Sequence, residues 1–346
     1  MINIQKLLDE IQQKLPIYYP EIEDESWNLE VISHRKKHNK TFLRLRVKSK
    51  FDEQHNLFLK IYMNSSPKAR LTVAREFYLH RIVFERLRHK TNSFMIPRPL
   101  DFFPKHNSIL MEYVSGRRLD NLLAMICLPL LRSKTKERLH SILRTLTKFL
   151  ILFNEAFPYN RTIYLKDVIK ETETLISETC NLINNIELLK KLTNLLKIFS
   201  SELPSVLELS ISHGDFRPSN ILVDNERLAI IDWEDLNFRL KHTDLCNFVL
   251  HLILMSLLPP YSLKFQILIS RTIISEYLKS LGSKETRIIR FIMLYTLLRM
   301  LNFYSRLAKG LWVHREPFDR IIGVLAKRQT IHILLNFPSF IDFIMA

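Results

Sequence analysis

The chain has 346 residues, enough for a large core and for more than one compact unit. Lys plus Arg number 51 against 35 Asp plus Glu, a formal charge of +16, which favours anionic partners such as a nucleotide, an acidic sugar, a nucleic acid or an anionic membrane. The three cysteines, Cys127, Cys180 and Cys246, are widely spaced, which argues against a disulfide framework and against a C-x-x-C zinc site. Met1 to Tyr19 lacks the apolar segment of a secretory leader. The apolar run Phe248 to Leu258 is interrupted by His251 and falls short of the roughly 20 residues of a membrane span. A reducing, cytoplasmic setting is expected.

Residues 1–26 predict a helical extension, with Ile4, Leu7, Leu8, Ile11 and Leu15 at helical spacing and Pro16 and Pro20 as breakers. From Trp27 the period changes to two. Leu29 and Val31, then Leu43, Leu45 and Val47, alternate as strands do, and the basic gap Ser33–Lys40 reads as a hairpin tip without glycine. A third strand, Asn56 to Tyr62, carries Lys60 inside an apolar run. Ser65-Ser66-Pro67 signals the start of a helix reaching about Lys90, with Leu71, Ala74, Phe77, Tyr78, Ile82 and Leu87 on its apolar side and Glu76 along it. Arg98 to Phe103 and Ser108 to Val114 complete five strands. Residues 27–114 are therefore expected to form a small α+β lobe.

Gly116 marks the break to residues 115–346, where helical periodicity dominates. Helices are expected over Leu119 to Ile126, Lys134 to Phe157, Leu165 to Ser201, His242 to Leu258, Leu263 to Leu281, Lys284 to Lys309 and Phe318 to Phe337. Short strands, Asn220 to Val223 and Leu228 to Ile231, interrupt them.

Two stretches carry chemistry: His213-Gly214-Asp215-Phe216-Arg217-Pro218-Ser219-Asn220, and Ile230-Ile231-Asp232-Trp233-Glu234-Asp235. Phosphoryl transfer needs a base for the acceptor hydroxyl, oxygen ligands for Mg²⁺, a cation on the phosphates and a group to hold that cation. Asp215, Asn220, Asp232, Lys60 and Glu76 supply those types, with Glu85 as a competitor for Glu76.

The spacing Asp215-x-x-x-x-Asn220 followed by Ile231-Asp232-Trp233-Glu234, with Met111-Glu112-Tyr113-Val114-Ser115-Gly116 and Lys60 upstream, resembles the aminoglycoside phosphotransferase and choline kinase-like family over about residues 27–300. The resemblance implies a bilobal protein kinase-like α+β fold, with a nucleotide-binding lobe at 27–114 and a larger, mainly helical lobe at 115–346 that holds the catalytic loop and the acceptor helices. It implies ATP or another NTP, with Mg, as cofactors, and transfer of the γ-phosphate to a hydroxyl. By the same resemblance Asp215 is the base, and Asn220, Asp232 and Glu234 the metal ligands. Lys60 is the phosphate lysine and Glu76 its partner. Glu112 and Val114 belong to the hinge that holds the base, and Asn39 lies in the phosphate loop. His213 is structural, and Asp244 anchors the loop. The glycine-poor hairpin tip departs from the family pattern and motivates an alternative, a pseudokinase used as a nucleotide- or partner-binding module.

The acceptor is expected to be a hydroxyl-bearing small molecule or glycan. Residues 236–346 hold 15 Lys plus Arg against 6 Asp plus Glu, with Arg287, Arg290, Arg299, Arg306, Lys309 and Arg315 prominent, so an anionic sugar is favoured over an aminoglycoside or amino alcohol. The apolar tail from Ile331, near Lys327 and Arg328, suggests peripheral contact with the inner face of a membrane, or else packing on the large lobe. Nucleic acid is not expected, because the aromatic-plus-basic strand pattern is missing.

Overall fold

Alternation in the N-terminal strands becomes a two-faced sheet in the computed structural model. The structure describes residues 3–20, 27–37, 39–49, 54–64, 66–90, 93–127, 132–157, 161–225, 227–257, 260–282, 285–309 and 317–345. The chain forms two compact units, Met1–Gly116 with Ala229–Asp235, and Arg117–Leu228 with Leu236–Ala346.

The first unit begins with α1 (Ile4–Tyr18), capped by the Asn3 side chain, which accepts the Lys6 N–H. Pro16 does not end this helix. It removes a single bond in the last turn, and the Tyr19 N–H still reaches the Leu15 carbonyl at 3.1 Å. Then follow β1 (Asn28–Lys37), β2 (Lys40–Lys48), β3 (Gln54–Tyr62), α2 (Pro67–Leu87), β4 (Phe94–Met95), β5 (Pro99–Phe103) and β6 (Ser108–Glu112). Five strands pair in the order β1-β2-β3-β6-β5, each neighbouring pair antiparallel.

One sheet face, with Leu43, Leu45, Val47, Leu57, Leu59 and Ile61, forms a core with Leu7, Ile11, Leu15 and Tyr18 of α1. Each such side chain contributes about 1.5–3 kcal/mol when fully buried. The basic gap Ser33–Lys37 is strand rather than loop, paired to Lys40–Arg44. Both its faces are exposed, so no hydrophobic period marks it. His38, at the tip, lies outside the described residues.

Ser66 caps α2 by accepting the Ala69 N–H, with Pro67 in the first turn; Ser65 lies outside the described residues. The buried face of α2 is Val73, Glu76, Phe77, His80, Val83 and Leu87. Leu71, Tyr78 and Ile82 point to solvent, which corrects the apolar side expected from sequence. Two polar residues sit in the true stripe and hide its period.

The second unit holds β7 (Arg117–Arg118), α3 (Leu119–Cys127), α4 (Arg132–Ala156), β8 (Arg161–Tyr164), α5 (Leu165–Ile183), α6 (Ile186–Ser200), β9 (Val206–Ser212), β10 (Ile221–Asp224), the start of β11 (Arg227–Ile230) and β12 (Asn237–Leu240). It ends with α7 (Thr243–Met255), α8 (Leu263–Leu281), α9 (Glu285–Ala308), α10 (Pro317–Leu335) and α11 (Phe337–Met345). The single helix expected over Leu165 to Ser201 is two. Asn184 takes a left-handed φ of 55° that ends α5, and the Asn185 side chain caps α6. A three-stranded sheet, β12-β9-β8, was not expected.

α9 packs on α5, α7 and α10, and α4 on α8. The apolar side of the tail, with Phe337, Ile341 and Ile344, is buried. Among the described residues no helix is long and apolar enough to cross a membrane.

Candidate active site

β3 alternates. Leu57, Leu59 and Ile61 face the α1 core, and Phe58, Lys60 and Tyr62 face the other way, towards the side where Phe77 and Val73 of α2 form a cluster with Tyr62 and Ile109. Lys60 Nζ lies 2.9 Å from Glu76 Oε1, with 5% and 3% of the two side chains exposed. The Tyr62 hydroxyl donates to the other oxygen of Glu76.

Ala229–Asp235 brings two more carboxylates to this group. Lys60 Nζ is 3.0 Å from Asp232 Oδ1 and 3.4 Å from Glu234 Oε2. Lys40, the first residue of β2, also bonds Glu234 Oε2. Burial alone would pull the Lys60 ammonium down. The Glu76 carboxylate, then those of Asp232 and Glu234, outweigh it and hold the group well above the usual lysine range.

Asp232 sits at φ 67°, a left-handed conformation that Asp tolerates better than most residues. Trp233 beside it is 1% exposed, donates its indole N–H to the Ile230 carbonyl at 3.2 Å and stacks on His80 of α2. Its role is packing, and it fixes the turn that carries Asp232 and Glu234.

The second unit carries the other motif. After β9 the chain turns through Gly214 at φ 84°. Asp244, in the first turn of α7, accepts from Ser212 Oγ (2.8 Å), the His213 N–H (2.8 Å) and the Gly214 N–H (3.2 Å). Fully buried Phe216 stacks on Phe149 and packs on Phe248. The His213 ring is buried too, and its Nδ1 accepts the Asp215 N–H at 3.4 Å. The loop is thus held from within.

Asn220 Nδ2 donates to the Asp215 carbonyl and to Asp215 Oδ2, both at 2.9 Å, and Arg217 Nη2 lies 3.0 Å from the same Oδ2. A quarter of the Asp215 side chain is exposed.

The structure therefore joins Lys60, Glu76, Asp232 and Glu234 in the first unit, and Asp215 and Asn220 in the second. Asn39 directly precedes Lys40, and Glu112 and Val114 lie at and just past the end of β6 in the same unit. The Asn39 carbonyl accepts the Met63 N–H at 2.8 Å. The Glu112 N–H goes to the Arg98 carbonyl at 2.9 Å, and Val114 lies two residues past β6. Glu85 pairs with Arg88 and takes no part in the Lys60 group.

Sequence reasoning missed Lys40, Tyr62 and Arg217. Residue type alone does not separate Lys40 from the other lysines of the tip, Lys36 and Lys37. Tyr62 sits two residues after Lys60, and Arg217 two after Asp215, which is the signal that would have found them.

The carboxylates of Asp232 and Glu234 are 40% and 29% exposed, and both lie within reach of one ammonium. Hard oxygen donors in this state suit Mg²⁺, which takes one or two carboxylates and completes its shell from phosphates and water. Among the described residues no group of three His, Cys, Asp or Glu side chains is placed to hold a metal ion.

Several arginines counted towards an anionic acceptor have acidic neighbours. Arg287 lies 3.5 Å from Glu202, Arg290 3.0 Å from Asp342 and Arg306 3.4 Å from Glu178, while Arg299 lies over the Tyr295 ring. Arg315 lies outside the described residues.

A family model described as the phosphotransferase enzyme family (APH) matches residues 38–253. The chain is similar in structure to a choline kinase from Cryptosporidium parvum Iowa II, at TM-score 0.55 and 15% identity over 98% of this chain and 97% of that one. It is similar to an ethanolamine kinase from Plasmodium vivax, at 0.54 and 14% over 99% and 91%. It is also similar to the GDP and kanamycin complex of APH(2")-IIia, at 0.51 and 14% over 95% and 98%. At such identities these likenesses give the fold, which is protein kinase-like, and nothing finer. Curated protein sequences offer no match.

Proposed function

The chain belongs to the phosphotransferase enzyme family, and from that premise we propose that it moves the γ-phosphate of a nucleoside triphosphate to a hydroxyl of a small molecule or glycan. The observation that carries this reading is Lys60. It is a buried lysine held charged by Glu76 and turned towards two partly exposed carboxylates, Asp232 and Glu234. A lysine so held is suited to neutralising phosphate charge, and positioning and neutralisation do most of the work in phosphoryl transfer.

In this reading Asp215 accepts the proton of the acceptor hydroxyl as its oxygen bonds to phosphorus and the nucleoside diphosphate leaves. Asn220 and Arg217 orient the carboxylate. Asp232 and Glu234 would hold Mg²⁺, which when bound supplies charge neutralisation on the phosphates.

For the acceptor, the paired arginines of α9 lend an anionic sugar less support than net charge alone does. Amino alcohols and aminoglycosides therefore stay beside acidic glycans in the test. A labelled-ATP transfer screen over those classes is expected to show transfer to one of them. Asp215→Asn should lower its turnover by about 10²–10⁴-fold with nucleotide affinity retained. Unchanged turnover would remove Asp215 from the reaction. Tight nucleotide binding without transfer to any acceptor would favour the binding-module alternative.

A further inference from the structure

The tip of the β1–β2 hairpin is the part of the phosphate-binding reading that lacks its usual chemistry. No glycine precedes Gly116 anywhere in the chain, so backbone N–H groups there lack the close approach to phosphate that glycine permits. The tip is basic instead. Arg35, Lys36 and Lys37 extend into solvent, as surface lysines and arginines do.

Lys40 differs. Its side chain is 23% exposed, its Nζ lies 5.0 Å from the centre of the Tyr62 ring, and it ends on Glu234 Oε2. Lys60 reaches the same oxygen at 3.4 Å and lies 5.2 Å from the same ring. Lys40 pairs across the sheet with Tyr62, and Phe42 pairs with Lys60, so the strand period puts Lys40 and Lys60 on one face.

Two ammonium groups thus share one carboxylate oxygen, beside Asp232 and Glu76. The group carries three carboxylates and two ammoniums. A triphosphate entering it would meet net negative charge unless the lysines turn to the phosphates and the carboxylates take a cation. The Lys40–Glu234 pair is partly exposed and so weakly held, and a lysine on a flexible four-carbon stem can exchange partners without moving the strand.

We propose that Lys40 is the phosphate-binding residue of this hairpin, exchanging Glu234 for the nucleotide phosphates on binding, which releases Glu234 to the metal. The proposal rests on the phosphotransferase reading and adds a residue and an exchange of partners to it.

The test is calorimetry on the full chain and on Lys40→Gln, Lys40→Arg and Lys60→Gln, with Mg-ATP, adenosine and Mn²⁺ alone as probes. Lys40→Gln should weaken Mg-ATP by about 10–100-fold, the loss of one charge-assisted bond, and leave adenosine unchanged. It should bind Mn²⁺ alone more tightly than the parent, since Glu234 then keeps only the longer contact to Lys60. Lys40→Arg should recover most of the Mg-ATP affinity.

If Lys60→Gln loses Mg-ATP while Lys40→Gln binds it as the parent does, Lys40 is a surface ion-pair residue and this proposal alone falls. Parallel losses of Mg-ATP and adenosine in Lys40→Gln would also overturn it, assigning Lys40 to the sheet rather than to phosphate. If the parent chain binds no Mg-ATP, the nucleotide reading fails and takes Lys40 with it.

Discussion

Lys60 shows what a single buried charge demands. With 5% of its side chain exposed it is stable as an ammonium only among carboxylates, and Glu76, equally buried, is the one that shares its burial. Glu76→Gln should therefore cost about 3 kcal/mol of stability in urea titrations, because it strips a buried ion of its partner. The double change Lys60→Met with Glu76→Leu should recover much of that stability while Mg-ATP binding stays lost. If the double variant bound Mg-ATP like the parent, the pair would be structural only. Lys60 was legible in sequence because a charged residue inside Leu57–Tyr62 stands out. Glu76 was legible as a partner, but the helix face around it was not. The stripe Val73, Glu76, Phe77, His80, Val83, Leu87 contains two polar residues, so hydrophobic periodicity favoured Leu71, Tyr78 and Ile82, which the structure leaves in solvent. Lys40 could not be picked from its neighbours by type. What singles it out is the carboxylate of a residue 194 positions away.

At the scale of elements, the loop His213–Asn220 is an attachment of β9 to the start of α7. Asp244 makes the attachment with both oxygens, accepting from one hydroxyl and two backbone N–H groups. Asp244→Asn turns an amide N–H towards at least one of those donors. The expected result is a loss of about 1–3 kcal/mol in stability and a fall of roughly 10–100-fold in turnover, because Asp215 loses its fixed position while nucleotide affinity is unchanged. Urea titration, turnover and calorimetry on the same variant check the three parts, and an equal fall in Mg-ATP affinity would contradict the assignment. The anchoring role came from the family resemblance, and neither the spacing nor the local pattern of His242-Thr243-Asp244 reveals it. The break between α5 and α6 was open to local reading in the doublet Asn184-Asn185, a left-handed stop and a cap. The apolar period runs through both residues and masked it. The β8-β9-β12 sheet was harder. Strands of four residues, such as Arg161–Tyr164 and Asn237–Leu240, are too short to establish a period, and only Val206–Ser212 alternates visibly.

For the molecule as a whole, the strands and helix of residues 27–114 were readable in linear order because their contacts are mostly between sequence neighbours. The membership of Ala229–Asp235 in the first unit was not, since nothing local states which distant core receives a segment. The two units also differ in how they should respond to acid. In the second, His242 is almost fully buried between Tyr277 Oη and Glu285 Oε2, each at 2.8 Å from a ring nitrogen. The carboxylate only accepts, so Nε2 carries the proton, and Nδ1 accepts from the Tyr277 hydroxyl, whose oxygen in turn accepts from Asn154 Nδ2. The ring is neutral in this arrangement, and burial, opposed by Glu285, holds it below the ordinary histidine range. Burial, with Arg217 nearby, pushes His251 on α7 down to about 3. For both groups the folded value lies below the unfolded one, so the unfolded chain binds more protons in acid. Stability from keeping these rings neutral is complete above about pH 6.5 and drains away as pH falls towards the folded values, at about 1.4 kcal/mol per pH unit for each fully protonating ring. Hydrogen exchange followed by mass spectrometry, corrected for intrinsic rates, should show α7, α8 and α9 losing protection between pH 7 and 5 while β2 and β3 hold theirs. His251→Leu should flatten part of that slope. Equal protection of α7 at both pH values would mean that His242 and His251 titrate as they do in the unfolded chain, and would refute the neutral network drawn around Tyr277.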